Sequence, residues 1–327
     1  MTSTVAWEDM TRLEPEWREL APRSNATTVF TSPTWARIWW EEFGGGEREQ
    51  LLLALRNGGS LYGVAPLMRE ADRITFCGDS AICDYMDIVV ADGREEEAAE
   101  TLLRALAEDS WQELVLWAMP DSSPNLRSLT NAARSMGYSV DLELEDVCPG
   151  VSLLDGWDQY LATLTKKDRH ELRRKLRRLH ASGDVLLERL LDADEIDDAM
   201  DDFFHLHIMS RTDKAAFMTP QMQQFFRRVV AALALEGKAR LYFLRLNGVR
   251  VAAVICFAEE TEHLLYNSGY DPAYASVSVG LLSKSMALQQ AIEEGKTYFD
   301  FLRGAEAYKY DLGAKDRKVY RCTVRRG

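Results

Sequence analysis

Hydrophobic and polar positions along the chain alternate between two periods, and the alternation predicts a mixed α/β protein. Ser32-Pro33 followed by Trp35, Ile38, Trp39, Trp40 and Phe43 has the spacing of an amphipathic helix, with Ser32 as its cap. Apolar runs at Leu51–Arg56 and Leu61–Met68 flank Asn57-Gly58, a hairpin signal, and Arg73–Cys77 makes a third strand. Strands at Ile88–Val90, Glu113–Met119 and Tyr138–Leu144 then alternate with helices at Glu95–Glu108 and Asn125–Met136. After Cys148-Pro149-Gly150 the pattern predicts helices at Trp157–Leu164 and Lys167–Ser182, a strand at Asp184–Leu190, and helices at Asp194–Ser210 and Pro220–Leu235. A second hairpin follows at Asn247-Gly248, then a strand at His263–Ser268 and a helix from about Leu281 to Glu294.

The two hairpins lie about 190 residues apart in a similar flanking order. Each is followed at once by small residues, Gly63-Val64-Ala65 and Val251-Ala252-Ala253. This repeat predicts two related α/β domains, divided as residues 1–148 and 149–327. The tryptophan stripe at 35, 39 and 40 fits a packed core better than a ligand platform.

Charge narrows the function classes. The net charge is −13, which weighs against a surface built to hold nucleic acid. Eight basic residues nonetheless fall between Lys166 and Arg178, with Arg169, Arg173 and Arg177 on one helical face, so that helix is a local anion site or an ion-pair face. Five cysteines without a C-x-x-C pair suit a reducing cytoplasm and predict neither a zinc site nor a disulfide framework. His205 and His207, two apart on a helix, point to different faces and do not form a metal pair, and no metal is expected. No apolar run reaches a membrane span, and Met1–Met10 lacks the regions of a signal peptide.

Chemistry concentrates late. Tyr298–Leu302 is an aromatic, strand-like run carrying Asp300, and it stops at Arg303-Gly304. Glu306, Tyr308, Lys309, Lys315 and Asp316 crowd the segment that follows. Polar groups gathered where a buried strand ends are an arrangement of α/β active sites. Upstream, Ser276-Val-Ser278-Val-Gly280 joins a strand to a helix, the layout that turns backbone N–H groups toward a phosphate. In the first half, Asp84-Tyr85-x-Asp87 is an acid pair before an apolar strand, either a capped turn or a base.

On these residues the chain resembles a known family. Gly78-Asp79…Asp84-Tyr85-x-Asp87, and Phe299-Asp300-Phe301-Leu302-x-Gly304-x-Glu306-x-Tyr308-Lys309, are similar to the CelD-like or BioF2-like acetyltransferase-domain proteins of the GNAT superfamily. More distantly, Tyr298-Phe-Asp-Phe-Leu-x-Gly304…Tyr308-Lys309-Tyr-Asp-Leu-Gly313 resembles the ending of the Fem-type aminoacyl transferases, which are tandem GNAT-fold proteins. The resemblance implies two tandem GNAT-like domains, each a mostly antiparallel sheet flanked by helices. It implies an N-acyltransferase moving an acyl group from acyl-CoA to an amine on a sugar nucleotide or polysaccharide precursor. Lys309 or Tyr308 would face the oxyanion, and Asp300, Glu306 or Asp84 would act as base. Ser278, Gly280, Arg169 and Arg173 would hold the donor phosphates. Tyr308 and Leu312 stand where the Fem pattern has phenylalanines, which favours acyl-CoA over aminoacyl-tRNA as donor. A rival expectation is a non-catalytic GNAT-fold binding protein of a polysaccharide pathway.

Overall fold

A computed structural model describes residues 3–24 and 26–326. The chain up to Val147 and the segment from Arg317 onward form one compact unit; Cys148–Asp316 form the second. The first unit contains β1 (Ser3–Trp7), α1 (Met10–Leu20), α2 (Pro33–Phe43), β2 (Arg48–Asn57), β3 (Ser60–Glu70), β4 (Arg73–Phe76), β5 (Val89–Val90), α3 (Glu95–Ala107), β6 (Glu113–Pro120), α4 (Pro124–Ser135) and the start of β7 (Ser139–Ser152). The second begins with the last residues of β7. It continues through α5 (Trp157–Thr163), α6 (Lys166–Ala181), β8 (Val185–Leu190), α7 (Ala193–Ser210), α8 (Thr212–Phe217), α9 (Pro220–Leu235) and β9 (Ala239–Leu246). Then come β10 (Val249–Ala258), β11 (Glu262–Tyr270), α10 (Val279–Glu293), β12 (Tyr298–Asp300) and α11 (Ala307–Asp311). Last is β13 (Lys315–Arg325), most of it in the first unit.

The two units share one strand path. In the first, β1-β2-β3-β4 are antiparallel neighbours, β4 pairs parallel with β6, and β13 closes antiparallel on β6. In the second, β8-β9-β10-β11 are antiparallel neighbours, β11 pairs parallel with β12, and residues 150–152 of β7 close antiparallel on β12. Both hairpins turn through left-handed backbone, at Gly58-Gly59 and at Asn247-Gly248, the tight turn that matches strand twist.

One boundary differs from the sequence expectation, while the seam near Cys148 falls between Val147 and Cys148 without interrupting the strand. The C-terminal stretch is a strand of the first unit, because Val319, Cys322 and Val324 bury themselves beside β6 and Arg325 pairs with Glu113 at 2.8 Å. Cys148-Pro149-Gly150 is no break in the chain path, since β7 runs through it. Gly150 is needed there, as a Cβ would stand 2.3 Å from the Tyr298 hydroxyl.

Aromatic and aliphatic burial holds each unit together. Trp17, Trp35, Trp39 and Trp111 lie in the first, with Ser32 capping α2 through the Trp35 amide at 3.2 Å. In the second, Leu172 and Leu179 of α6 pack with Tyr242, Val254, Leu282, Leu288, Phe299 and Phe301. Each such side chain contributes about 1.5–3 kcal/mol on burial. All five cysteines are buried thiols. Among the described residues no helix is long and apolar enough to cross a membrane, and no group of three metal-ligating side chains is gathered.

Candidate active site

The second unit opens its sheet where β11 and β12 part. Their parallel register runs only from Glu262↔Tyr298 to Leu264↔Asp300, whereas β11 continues to Tyr270. A bulge near Tyr266, where the pairing with β10 slips between Ile255 and Cys256, turns β11 at this point. Among the described residues no strand pairs with that edge of β11 beyond Leu264. α10 starts beyond the end of this edge, and the segment after β12 lies across from it in the sheet order.

That segment is held by two buried polar side chains. Asp300 is fully buried, and its Oδ1 accepts the Leu302 amide at 2.7 Å. Leu302 has a left-handed φ of 57°, a strained state for a branched side chain. Lys309, 2% exposed, donates to the carbonyls of Leu302, Arg303 and Gly304 at 2.9, 2.8 and 2.8 Å, and sits 2.8 Å from Glu306 Oε2. An ammonium has three N–H donors, so these four acceptors use all of them. Lys309 organises the turn and fixes Glu306. This geometry leaves it no donor for an oxyanion, the role the sequence resemblance would give it.

Glu306 is the exposed member of the cluster. Burial raises its proton affinity, but the hydrogen bond and charge of Lys309 outweigh that and hold it below the usual carboxylate range. Tyr308 packs its ring edge-on to Phe301 at 6.1 Å, and burial, with Glu306 beside it, raises the phenol well above its ordinary value. It stays a neutral donor.

Two lysines that the sequence gave no reason to single out complete the site. Lys284, in the second turn of α10, is 9% exposed; its Nζ donates to the Gly280 carbonyl at 2.6 Å and lies 5.0 Å from the Tyr308 ring centre. Burial, then the charge of Lys214, lowers its pKa to about 7. Lys214 of α8 donates to the Ser268 carbonyl on β11, and burial, then Arg211, lowers it to about 8. The only signal in the sequence was a lysine at an otherwise apolar helical position, between Leu282 and Leu288.

The expected phosphate-binding residues divide. Ser278 precedes α10 in left-handed backbone, φ 61°, and its Oγ accepts from Arg178 of α6 at 2.9 Å. Gly280 packs on Tyr270, where a Cβ would stand 2.7 Å from the ring. α10 carries no acid in its first turn. Arg169 instead turns back to the Ala162 carbonyl at 3.3 Å, closing the end of α5, and Arg173 lies 3.6 Å from Asp158. Arg178, which sequence reasoning passed over, reaches the start of α10. Asp84 belongs to the first unit, and in its motif Asp87 is the buried partner, accepting from Ser123 Oγ, Asn125 Nδ2 and the Ile88 amide at 2.5, 3.0 and 2.8 Å.

Comparison with known proteins agrees with this architecture. Residues 166–310 match the family model described as acetyltransferase (GNAT) domain. The fold is similar to that of FemX, with a TM-score of 0.70 at 12% identity over 98% of this chain and 97% of that one. It is also similar to L-PGS from Bacillus licheniformis (TM-score 0.59, 12% identity, 98% and 92% covered). A tandem GNAT protein from the clavulanic acid biosynthesis pathway gives a TM-score of 0.51 at 12% identity, with 98% of each chain covered. No curated protein matches the chain in sequence. The fold is that of tandem GNAT proteins, and the match to the acetyltransferase (GNAT) domain model lies within the second unit.

Proposed function

We propose that the second unit is an N-acyltransferase that takes an acyl group from acyl-CoA and passes it to an amine, directly and without a covalent enzyme intermediate. The observation that carries this is the strand edge of β11 that has no strand partner among the described residues, beside the Glu306–Lys309 turn. An extended, amide-bearing donor arm can pair with such an edge as an added strand would. Its diphosphate then meets the start of α10 and Arg178, where helix N–H groups and a guanidinium favour an anion. The acceptor amine attacks the acyl carbonyl. Glu306, ionised and fixed by Lys309, receives the amine proton, and the neutral Tyr308 hydroxyl donates to the departing thiolate. Asp300 and Lys309 act through the turn they hold. The acceptor is a sugar nucleotide or a cell-envelope precursor, and the chain works in the cytoplasm.

Release of CoA thiol from an acyl-CoA panel, with amine acceptors present, tests the reading. Glu306→Gln should lower kcat roughly a hundredfold or more while the melting temperature holds. Turnover unchanged in that variant removes Glu306 as base. A second reading, aminoacyl-tRNA as donor, draws on the excess of six basic charges on α6 (eight Lys and Arg against Asp168 and Glu171) and the fold shared with FemX. Steeply salt-dependent binding of charged tRNA, with no response to acyl-CoA, would select it.

A further inference from the structure

Lys284 is buried and Lys214 half-buried, and neither has the ion-paired carboxylate that a desolvated lysine ordinarily needs. Among the described residues neither has an acid within ion-pair distance. Glu306 is engaged by Lys309 at 2.8 Å and Asp213 by Arg211 at 2.8 Å. Each lysine has one hydrogen bond, to a backbone carbonyl, of the three it can donate. The Lys284 bond is not a needed cap. The Gly280 carbonyl already lies within the α10 ladder, four residues before the Lys284 amide. Lys284 also sits near the positive end of that helix, where a cation is disfavoured and an anion favoured. Its side chain returns toward that end beside the Tyr308 ring rather than reaching for solvent.

We infer that Lys214 and Lys284 form a seat for a compact anion, a carboxylate or phosphate carried by the acceptor substrate close to its reacting amine. The assignment to the acceptor rests on the acyl-transfer reading, in which the donor diphosphate already has α10 and Arg178. The seat itself does not depend on it. An anion there would accept the unused N–H bonds of both lysines and offset the excess of positive charge left by three lysines and one glutamate. It would also place the acceptor opposite Glu306, the base.

The test is thermal unfolding at pH 7 of wild type, Lys284→Met, Lys214→Met and the double variant, all in an Arg178→Ala background that silences the α10 start. Inorganic phosphate, succinate and chloride are compared at matched ionic strength. Phosphate or succinate should raise the melting temperature beyond chloride in the parent, and the double variant should lose that increment while being no less stable without anion. Equal effects of chloride, or an increment that survives in the double variant, overturn the seat. With an active donor, kcat/KM for an amino-acid acceptor over its amide should be about tenfold or more in wild type and near one in the double variant. Discrimination retained there overturns it too. Anion stabilisation present with no thiol release from any acyl-CoA would keep the seat and remove the acyl-CoA reading; the converse would do the opposite.

Discussion

The two units run the same strand path and treat the same opening differently. In the second, β12 stops at Asp300 while β11 runs on, and what lies beyond is a strained turn, a glutamate, the buried Lys284 and the half-buried Lys214. In the first, it is β4 that stops, at Phe76, and the chain immediately covers the edge of β6. The Met86 amide donates to Ala118 O at 3.0 Å, and Trp117 stands beside Gly78 with its indole N–H on Thr75 Oγ1 at 2.9 Å. The helices that precede the second strand of each pair differ as well. α3 places Glu95, Glu96 and Glu97 in its first turn, so its positive end is already neutralised, whereas α10 has none. One fold therefore serves twice, once with the strand opening covered by the chain itself and once with charged side chains at the opening. Chemistry belongs to the strand ends, not to the path.

The largest effect should come from breaking the turn that sets the units apart. Lys309→Met leaves three carbonyls without their donor and releases the half-exposed Glu306, which should cost about 1–3 kcal/mol in urea unfolding. A loss under about 1 kcal/mol would mean the ammonium does not hold the turn.

Titration separates the units next. Burial raises Asp87, in the first, to about 7, although Ser123 and Asn125 oppose it. A raised acid stabilises below its unfolded pKa and loses that contribution as pH climbs, so its effect falls between about 4 and 7. Lys284, in the second, is lowered to about 7, mainly by burial. Its penalty is full below about 7 and lifts as pH rises toward 10.5, with Lys214 acting in the same direction from about 8. Each slope should approach 1 kcal/mol per pH unit. His207, lowered to about 4 by burial, works against Asp87 at the acid end, so the measurement is a difference between wild type and variant. Asp87→Asn should flatten only the acid arm and Lys284→Met only the alkaline one. Both arms vanishing with one variant would break the comparison.

How much of this was legible depended on how local each signal was. Hairpins, capped helices and the doubled strand order were written in turn residues and periodicity; Ser32-Pro33 and Asn247-Gly248 are read without any partner. β13 was not, because its partner β6 lies some 200 residues earlier and its exposed face is basic. α1 buries Leu13, Trp17 and Leu20 at helical spacing but carries Pro15, which masks it. At the site, sequence placed Asp300, Glu306, Tyr308 and Lys309 together because they are neighbours in the chain. It had no means of joining Lys214 to Lys284, or Arg178 to Ser278, across 70 and 100 residues. Nor could it tell that Lys309 would spend its donors on backbone carbonyls.

The smallest effect tests whether the helix starts, rather than the lysines, account for the contrast. Ser278 stands half-buried at the start of α10 in left-handed backbone that an aspartate tolerates, and Ser278→Asp gives that helix an acid at its opening, as α3 already has. A carboxylate there competes with a phosphate for the same N–H groups and repels it. CoA binding should weaken about tenfold, some 1.4 kcal/mol, with little change in stability because an acid suits a helix start. Arg178→Ala should weaken binding in the same sense by removing the guanidinium that reaches Ser278. Glu95→Gln in α3 is the matching control, and calorimetry should find CoA affinity unchanged. If Glu95→Gln alters affinity and Ser278→Asp does not, the donor lies with the first unit, and the roles assigned to the two halves exchange.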